Sequence, residues 1–503
     1  MSVYTLVEER QEADLLFIPC IEGKTIEESC EGASALLAHF STLQKLAEFE
    51  PKLGKTLLLY PQKEKEPRIC LLGLGKKPST EAVREGYASA LRACLKFSCK
   101  KVNVLFPDCS PAEEVLEAAF EGLLLANYTF GKYKSGKVPH KLGSPVDHFF
   151  LISRTRSSRL DALVEIAHSV YLTRDLINTN ADEMTPEKLA QVAIEMAKNR
   201  KGLRVEILEK KELESLGMGL FLAVNKGSSI EPKLIVLHYE GDPSSAKKVA
   251  CVGKGVTFDT GGLSLKPTQF MQGMKADMGG AGTVFGLIDA LSRLQVKKNV
   301  IGVIPSTENA IDGNSYKVGD IYTSYSGKTV EIDNTDAEGR LILADALSYT
   351  ADKYSPDLMI DLATLTGAIV VSLGEDYAGL FSNNLPLQRA LEHASQAVGE
   401  RFWPMPLHRP YFSLLRSDFA DTKNSGSREA GSITAALFLR EFIRDLPWAH
   451  LDIAGCAFRS RESGCFPKNA SGEVVRSLVE FISSLDEATL QKIQEYEVDC
   501  SSS

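Results

Sequence analysis

The chain has 503 residues, more than one hydrophobic core usually supports, so two domains are expected. Its 66 acidic against 57 basic side chains give a net charge of −9 and a pI near 5.6, which argues against a generally nucleic-acid-binding surface because phosphate attraction needs a basic face. No apolar run approaches the roughly 20 residues of a membrane-spanning helix, and ten cysteines without paired metal spacing fit a reducing cytoplasmic setting.

In chain order, Met1-Ser2-Val3-Tyr4 followed by acids does not read as a signal peptide. The apolar runs Leu15–Ile18, Thr56–Tyr60, Ile69–Leu74 and Val102–Phe106 alternate with helical stretches such as Glu113–Phe130, the pattern of a small α/β domain. Gly73-Leu74-Gly75 is a fragment of a dinucleotide fingerprint, but Pro78 takes the place of its third glycine, so NAD is not expected. Lys132-Tyr133-Lys134-Ser135-Gly136-Lys137 is the densest basic stretch and reads as a solvated loop. The sequons at Asn127 and Asn469 have no secretion signal to support them. Polar Ser153–Arg159 suggests a boundary near 155, followed by a linker helix within 156–180, helical from about Leu160 to Leu176. Thr185-Pro186-Glu187 reads as an N-cap and first-turn proline opening a helix to about Asn199.

Lys248 to Val252 reads as a buried strand, and Thr283 to Leu294 has helical spacing, with Val284, Leu287, Ile288 and Leu291 apolar. Between them lies a glycine-rich loop from Gly253 to Pro267, continued by Met274–Gly282. Such loops lie at the carboxyl ends of strands, where ligands usually bind. Ser326-Gly327-Lys328-Thr329 is not a P-loop, because Tyr322 stands where its first glycine should be. Next comes Asn334-Thr335-Asp336-Ala337-Glu338-Gly339-Arg340-Leu341. If Asp336 and Glu338 are extended, their side chains leave one face roughly 6–7 Å apart, which suits divalent cations. Alone, such a pair is more often a solvated acidic turn with a structural Arg–carboxylate pair. With Asp259 and Asp277 it makes four carboxylates, which repel unless cations or bases neutralise them. Lys254, Lys266, Lys275 and Arg340 are the available bases. A two-metal phosphoesterase would use similar carboxylates.

Together these segments resemble the leucyl aminopeptidase family, two-metal exopeptidases whose signature Asn-Thr-Asp-Ala-Glu-Gly-Arg-Leu is matched at every position from 334 to 341. The likeness extends to Lys254–Pro267, Met274–Gly280, Asp361–Ala368 and His450–Gly455, covering about the last 330 residues. Asn180 departs from the family, which commonly has proline there. The resemblance implies a two-domain α/β fold: a smaller N-terminal α/β domain (1–155) and a larger catalytic α/β domain (181–503) with a central mixed sheet flanked by helices. It implies Lys254, Asp259, Asp277 and Glu338 at a tight metal site, and Asp259, Asp336 and Glu338 at a more exchangeable one. Lys266 and Arg340 are then the catalytic pair, with bicarbonate on Arg340 as general base, since neither cluster contains a histidine. Met274, Thr364, Leu365 and Gly367, with the Ala454–Ala457 turn, would bind substrate, and His450 would anchor the surroundings of the site. The two ions would be Mn²⁺ or Zn²⁺. Substrates would be short peptides with leucine-like N-termini, cleaved by a cytoplasmic homohexamer with neither membrane nor nucleic-acid partners. A DNA-binding regulatory protein on a peptidase fold is the alternative from another class, and the acidic balance weighs against it.

Overall fold

The structure is a computed structural model that describes residues 3–30, 49–61, 65–135 and 143–496. The chain forms two compact units, one from the first 167 residues with Arg461–Lys468, the other from His168–Ser460 and the residues from Asn469 on.

The first unit carries a six-stranded sheet of β1 (Val3–Val7), β2 (Leu15–Cys20), β3 (Thr56–Leu59), β4 (Ile69–Gly73), β5 (Lys101–Val104) and β6 (His148–Ile152) in the order β1-β6-β5-β2-β4-β3. All pairings are parallel except β3 with β4. Parallel sheets are covered on both faces, and β2 and β4 are accordingly buried along their whole length. Helices Thr80–Leu95 and Ala112–Ala126 cross closely at Gly122, where a Cβ would stand 2.2 Å from the Arg84 carbonyl oxygen. Of the basic stretch, Lys132–Ser135 is turn and loop, and Gly136 and Lys137 lie outside the described residues.

The second unit is built on β7 (Leu203–Leu208), β8 (Lys233–Glu240), β9 (Val249–Gly253), β10 (Gly255–Asp259), β11 (Asn299–Asn309), β12 (Ile321–Thr323), β13 (Thr329–Glu331), β14 (Leu358–Ala363), β15 (Ala378–Ser382), β16 (Phe402–Pro404), β17 (Thr422–Lys423) and β18 (Trp448–Asp452). Nine of these form one sheet, β16-β15-β18-β14-β9-β11-β8-β7, with β10 added beside β11; β12, β13 and β17 form a separate small sheet. The centre, β18-β14-β9-β11, is parallel, and β15, β8 and β7 pair antiparallel around it. This is the expected mixed α/β sheet, with buried helices Gly279–Leu294 and Gly339–Tyr354 among its flanking elements.

Thr185 caps the helix Pro186–Asn199 as its sequence predicts, its hydroxyl accepting from the Lys188 amide at 3.2 Å, and the helix expected from Leu160 spans Leu160–Asn178. Two local expectations change. The glycine-rich stretch after β9 contains a strand, β10, with an irregularity between Val256 and Asp259. Gly279, Gly280 and Gly282 belong to a helix, not to a loop. A Cβ on Gly280 would lie 2.1 Å from the Leu362 carbonyl oxygen, so its missing side chain lets the helix press against β14. Among the described residues no helix is long and apolar enough to cross a membrane.

Candidate active site

Lys254 follows β9, Asp259 ends β10, and Asp277 precedes the buried helix that starts at Gly279. Asp336 and Glu338 are not extended, contrary to the condition stated above. The Asn334 side chain accepts from the Asp336 amide at 2.8 Å and its carbonyl accepts from Ala337 at 3.2 Å, closing a turn that leads into the helix Gly339–Tyr354 with Glu338 already in the right-handed helical region. An asparagine bonding its own backbone offers this alternative to strand geometry. The turn still brings the acids together: Asp259, Asp336 and Glu338 each offer a carboxylate oxygen within 4.8 Å of the others.

Two lysines thread between them. Lys254 Nζ lies 2.8 Å from Asp277 Oδ1 and 2.7 Å from Glu338 Oε1, and donates to the Thr364 carbonyl at 2.9 Å. Lys266 Nζ lies 2.8 Å from Asp259 Oδ2 and 2.5 Å from Asp336 Oδ1. Lys275 does not join them; it donates to the Asn178 carbonyl at 2.6 Å. At Gly261, whose φ is +86°, a Cβ would stand 2.9 Å from Asp336 Oδ1, so the loop needs glycine for both conformation and space.

Burial, with repulsion from Glu338, pushes Asp259 up to about 6 against the pull of Lys266 and Lys254. Burial raises Asp277 and Asp336 too, with Glu338 adding repulsion and the lysines opposing. Glu338 stays below the usual carboxylate range because Lys254 and Lys266 outweigh its burial. Burial works against the charge of both lysines, but the surrounding carboxylates hold both above the ordinary lysine value. Four carboxylates thus meet two ammonium groups, which leaves an anionic cluster. Asp277 Oδ2 is buried there and has no hydrogen-bond partner among the described residues. Such an orphaned oxygen is costly, and an oxygen-rich anionic cluster fits divalent cations.

Arg340 stands in the first turn of its helix, buried, with one terminal nitrogen donating to the Asn424 carbonyl at 2.9 Å and Nε without a partner among the described residues. Burial lowers its pKa to about 10, although Glu338 and Asp452 pull the other way. Thr364 donates to Asp277 Oδ1 at 2.8 Å, and the Leu365 amide to Asp452 Oδ1 at 3.2 Å. Gly279 lies between the Thr364 and Ala457 side chains, 3.0 and 3.2 Å from where its Cβ would be. Gly367 opens the helix Gly367–Leu373 and faces open space, and Met274 begins a half-buried 3₁₀ turn three residues before Asp277. His450 sits inside β18, not before it, with Nδ1 2.7 Å from Asp361 Oδ1; the other Asp361 oxygen accepts from Trp448 Nε1.

Several residues that hold this arrangement are not among the expected site residues. Asn309 pairs with Asp259 in strand register and donates to Asp259 Oδ1 at 2.8 Å and to the Thr335 carbonyl at 3.0 Å, which also accepts from the Tyr316 hydroxyl. Asp452 accepts from Thr366 at 2.7 Å and from the Ala454 amide at 3.2 Å. Asn309 and Asp452 end strands at the carboxyl edge of the sheet, where α/β proteins usually bind ligands, and Asp452 also lies inside the His450–Gly455 stretch of the family likeness, the signals that could have marked them.

An α/β sheet that gathers buried carboxylates and lysines at its carboxyl edge defines a metal-dependent hydrolase. Residues 171–479 match the cytosol aminopeptidase family, catalytic domain, and residues 22–137 that family's N-terminal domain. The chain is 43% identical over 486 residues to a probable cytosol aminopeptidase of Protochlamydia amoebophila, covering 95% of this chain and 97% of that one. It is 48% identical over 446 residues to one of Chlamydia trachomatis serovar L2, covering 87% and 89%. Among solved structures, a tomato leucine aminopeptidase mutant superposes with a TM-score of 0.84 at 31% identity over 95% of this chain and 96% of that one. The bottromycin maturation enzyme BotP, also solved in complex with Mn, gives 0.82 at 32% over 94% and 99%. The chain belongs to the cytosol aminopeptidase family, as its octapeptide led us to expect. It is an aminopeptidase, a hydrolase of peptides that uses divalent metal.

Proposed function

We propose that this aminopeptidase removes leucine and similar apolar residues from the N-termini of short peptides, using two divalent ions and an arginine-held bicarbonate. The observation that carries the reading is the buried cluster of Asp259, Asp336 and Glu338 beside the unpartnered Asp277 Oδ2. Lys254, Asp259, Asp277 and Glu338 would hold the tighter ion, and Asp259, Asp336 and Glu338 the exchangeable one. As a ligand Lys254 must give up its proton, a loss that a neighbouring dication favours. The Mn complex of BotP supports Mn²⁺, and affinity order keeps Zn²⁺ as the other choice. When bound, such ions supply a water acidified towards neutrality and a polarised scissile carbonyl.

Lys266 stays cationic beside Asp259 and Asp336 and would stabilise the developing oxyanion. Arg340, planar and with Nε buried and unpartnered among the described residues, suits a planar oxyanion such as bicarbonate, which would supply the general base that no cluster carboxylate is free to provide. The acidic cluster attracts a free α-ammonium, a handle that internal peptide bonds lack. Met274, Thr364, Gly367 and the turn through Ala454 and Ala457 would line an apolar side-chain pocket, and Thr364 and Leu365 would present backbone groups to substrate. We read the assembly as a homohexamer, as the family resemblance implies. The relatives are named for the cytosol, and the cytoplasm is the compartment we assign.

Chelation should abolish cleavage of a leucyl-amide substrate, and Mn²⁺ or Zn²⁺ should restore it. Full activity in metal-stripped enzyme would rule the reading out.

A further inference from the structure

Asn424 holds the octapeptide from outside it. Its placement comes from β17, which pairs parallel to β13 so that the Asn424 amide donates to the Glu331 carbonyl at 3.0 Å. The segment leaving β13 is the one that carries Asp336 and Glu338. The fully buried Asn424 side chain spends all its capacity on that segment. Its Oδ1 accepts from the amides of Asp333 at 2.8 Å and Asn334 at 3.2 Å. Its Nδ2 donates to the carbonyls of Asn334 at 2.7 Å and Ala337 at 3.3 Å. These contacts bracket Asp336 and end beside Glu338. The Asn424 main-chain carbonyl meanwhile accepts from Arg340 at 2.9 Å. One residue, about ninety positions from the motif, therefore ties both acids and the guanidinium into a single frame.

We propose that Asn424 is the positioning residue of the active site, setting Asp336, Glu338 and Arg340 relative to one another for catalysis. It rests on the roles proposed above for those three residues. Only an amide side chain fits, because the backbone presents two donors on one side and two acceptors on the other. Asn424→Asp keeps the shape and both acceptors but turns an oxygen towards the Asn334 and Ala337 carbonyls, where donors are needed. Asn424→Ser removes most of the contacts without adding charge.

The test measures kcat, KM, metal content and melting temperature for both variants prepared as metal-loaded enzyme, beside wild type and chelated wild type. Both variants should fold, with kcat on a leucyl amide lowered by about tenfold or more and KM changed by less than about threefold, as misplaced catalytic groups predict. Metal content should fall, with the ion assigned to Asp336 lost first. A folded Asn424→Asp enzyme with wild-type kcat and metal content overturns the proposal. So does failure of both variants to fold, which would make the residue a determinant of the fold alone. Chelated wild type that remains fully active would instead remove the metal reading, whatever the variants do.

Discussion

Replacing Gly339 by alanine tests the space that Lys254 occupies in the site. Gly339 is the first residue of a helix and its φ is not positive, so the backbone accepts alanine, which is favoured over glycine inside helices by about 1 kcal/mol. The added Cβ would nevertheless stand 2.6 Å from Lys254 Cε and 2.7 Å from its Nζ, whereas ordinary contact begins near 3.4 Å. The clash is with a side chain and not with backbone, so the fold survives, but the buried end of Lys254 must retreat by about 0.8 Å. Lys254 Nζ holds partners at 2.7, 2.8 and 2.9 Å, and such a displacement takes most of them out of hydrogen-bond range. Misplacement on this scale at a reacting centre costs about a hundredfold in rate, or about 2.7 kcal/mol of barrier. Gly339→Ala should therefore still fold but melt below the wild-type temperature, because loosening the buried Lys254 ion pairs costs more than helix propensity returns, while kcat/KM on a leucyl amide drops by roughly that factor and bound metal falls. Wild-type kcat/KM with full metal content in the folded variant would refute the reasoning.

Gly280→Ala should strain the fold through backbone. Its Cβ meets the Leu362 carbonyl oxygen at 2.1 Å, backbone that cannot step aside, so the melting temperature should fall, reflecting about 1–3 kcal/mol of overpacking, and an unchanged melt would count against the close helix–strand contact. Arg340→Ala should lower turnover yet keep its metal, whereas Asp259→Ala should lose both ions; equal metal loss, measured by elemental analysis, contradicts that division. Bicarbonate should stimulate anion-depleted wild type more than Arg340→Ala, and equal stimulation would place the anion elsewhere.

What the sequence disclosed follows from how locally each feature is encoded. Strands β2, β4 and β9 are buried on both faces and appear as continuous apolar runs. Strand β1, partly exposed at the edge of its sheet, has no such run, and β10 is masked by glycines that read as loop. Glycine itself is ambiguous: at Gly261 it does serve a left-handed loop, while at Gly280 it serves close packing inside a helix. The acids and lysines were legible because they cluster in short motifs. Asn309 and Asn424 were not, because strand pairing brings them to the motif and no spacing along the chain records it.

The same contrast applies inside the octapeptide, where charge draws attention to three residues and geometry depends on the others. Asn334 closes the turn through its side chain. The Thr335 hydroxyl donates to the Gly261 carbonyl at 2.7 Å and accepts from the Ser264 amide at 2.7 Å, pinning the motif to the loop that carries Lys266. Ala337, small and buried, gives its carbonyl to Asn424, and Gly339 leaves the space through which Lys254 reaches Glu338. Aspartate and glutamate at this spacing on a free turn would be two solvated charges. They become half of a compact acidic cluster because the uncharged residues between and after them fix where a lysine from one strand end and an asparagine from another can stand.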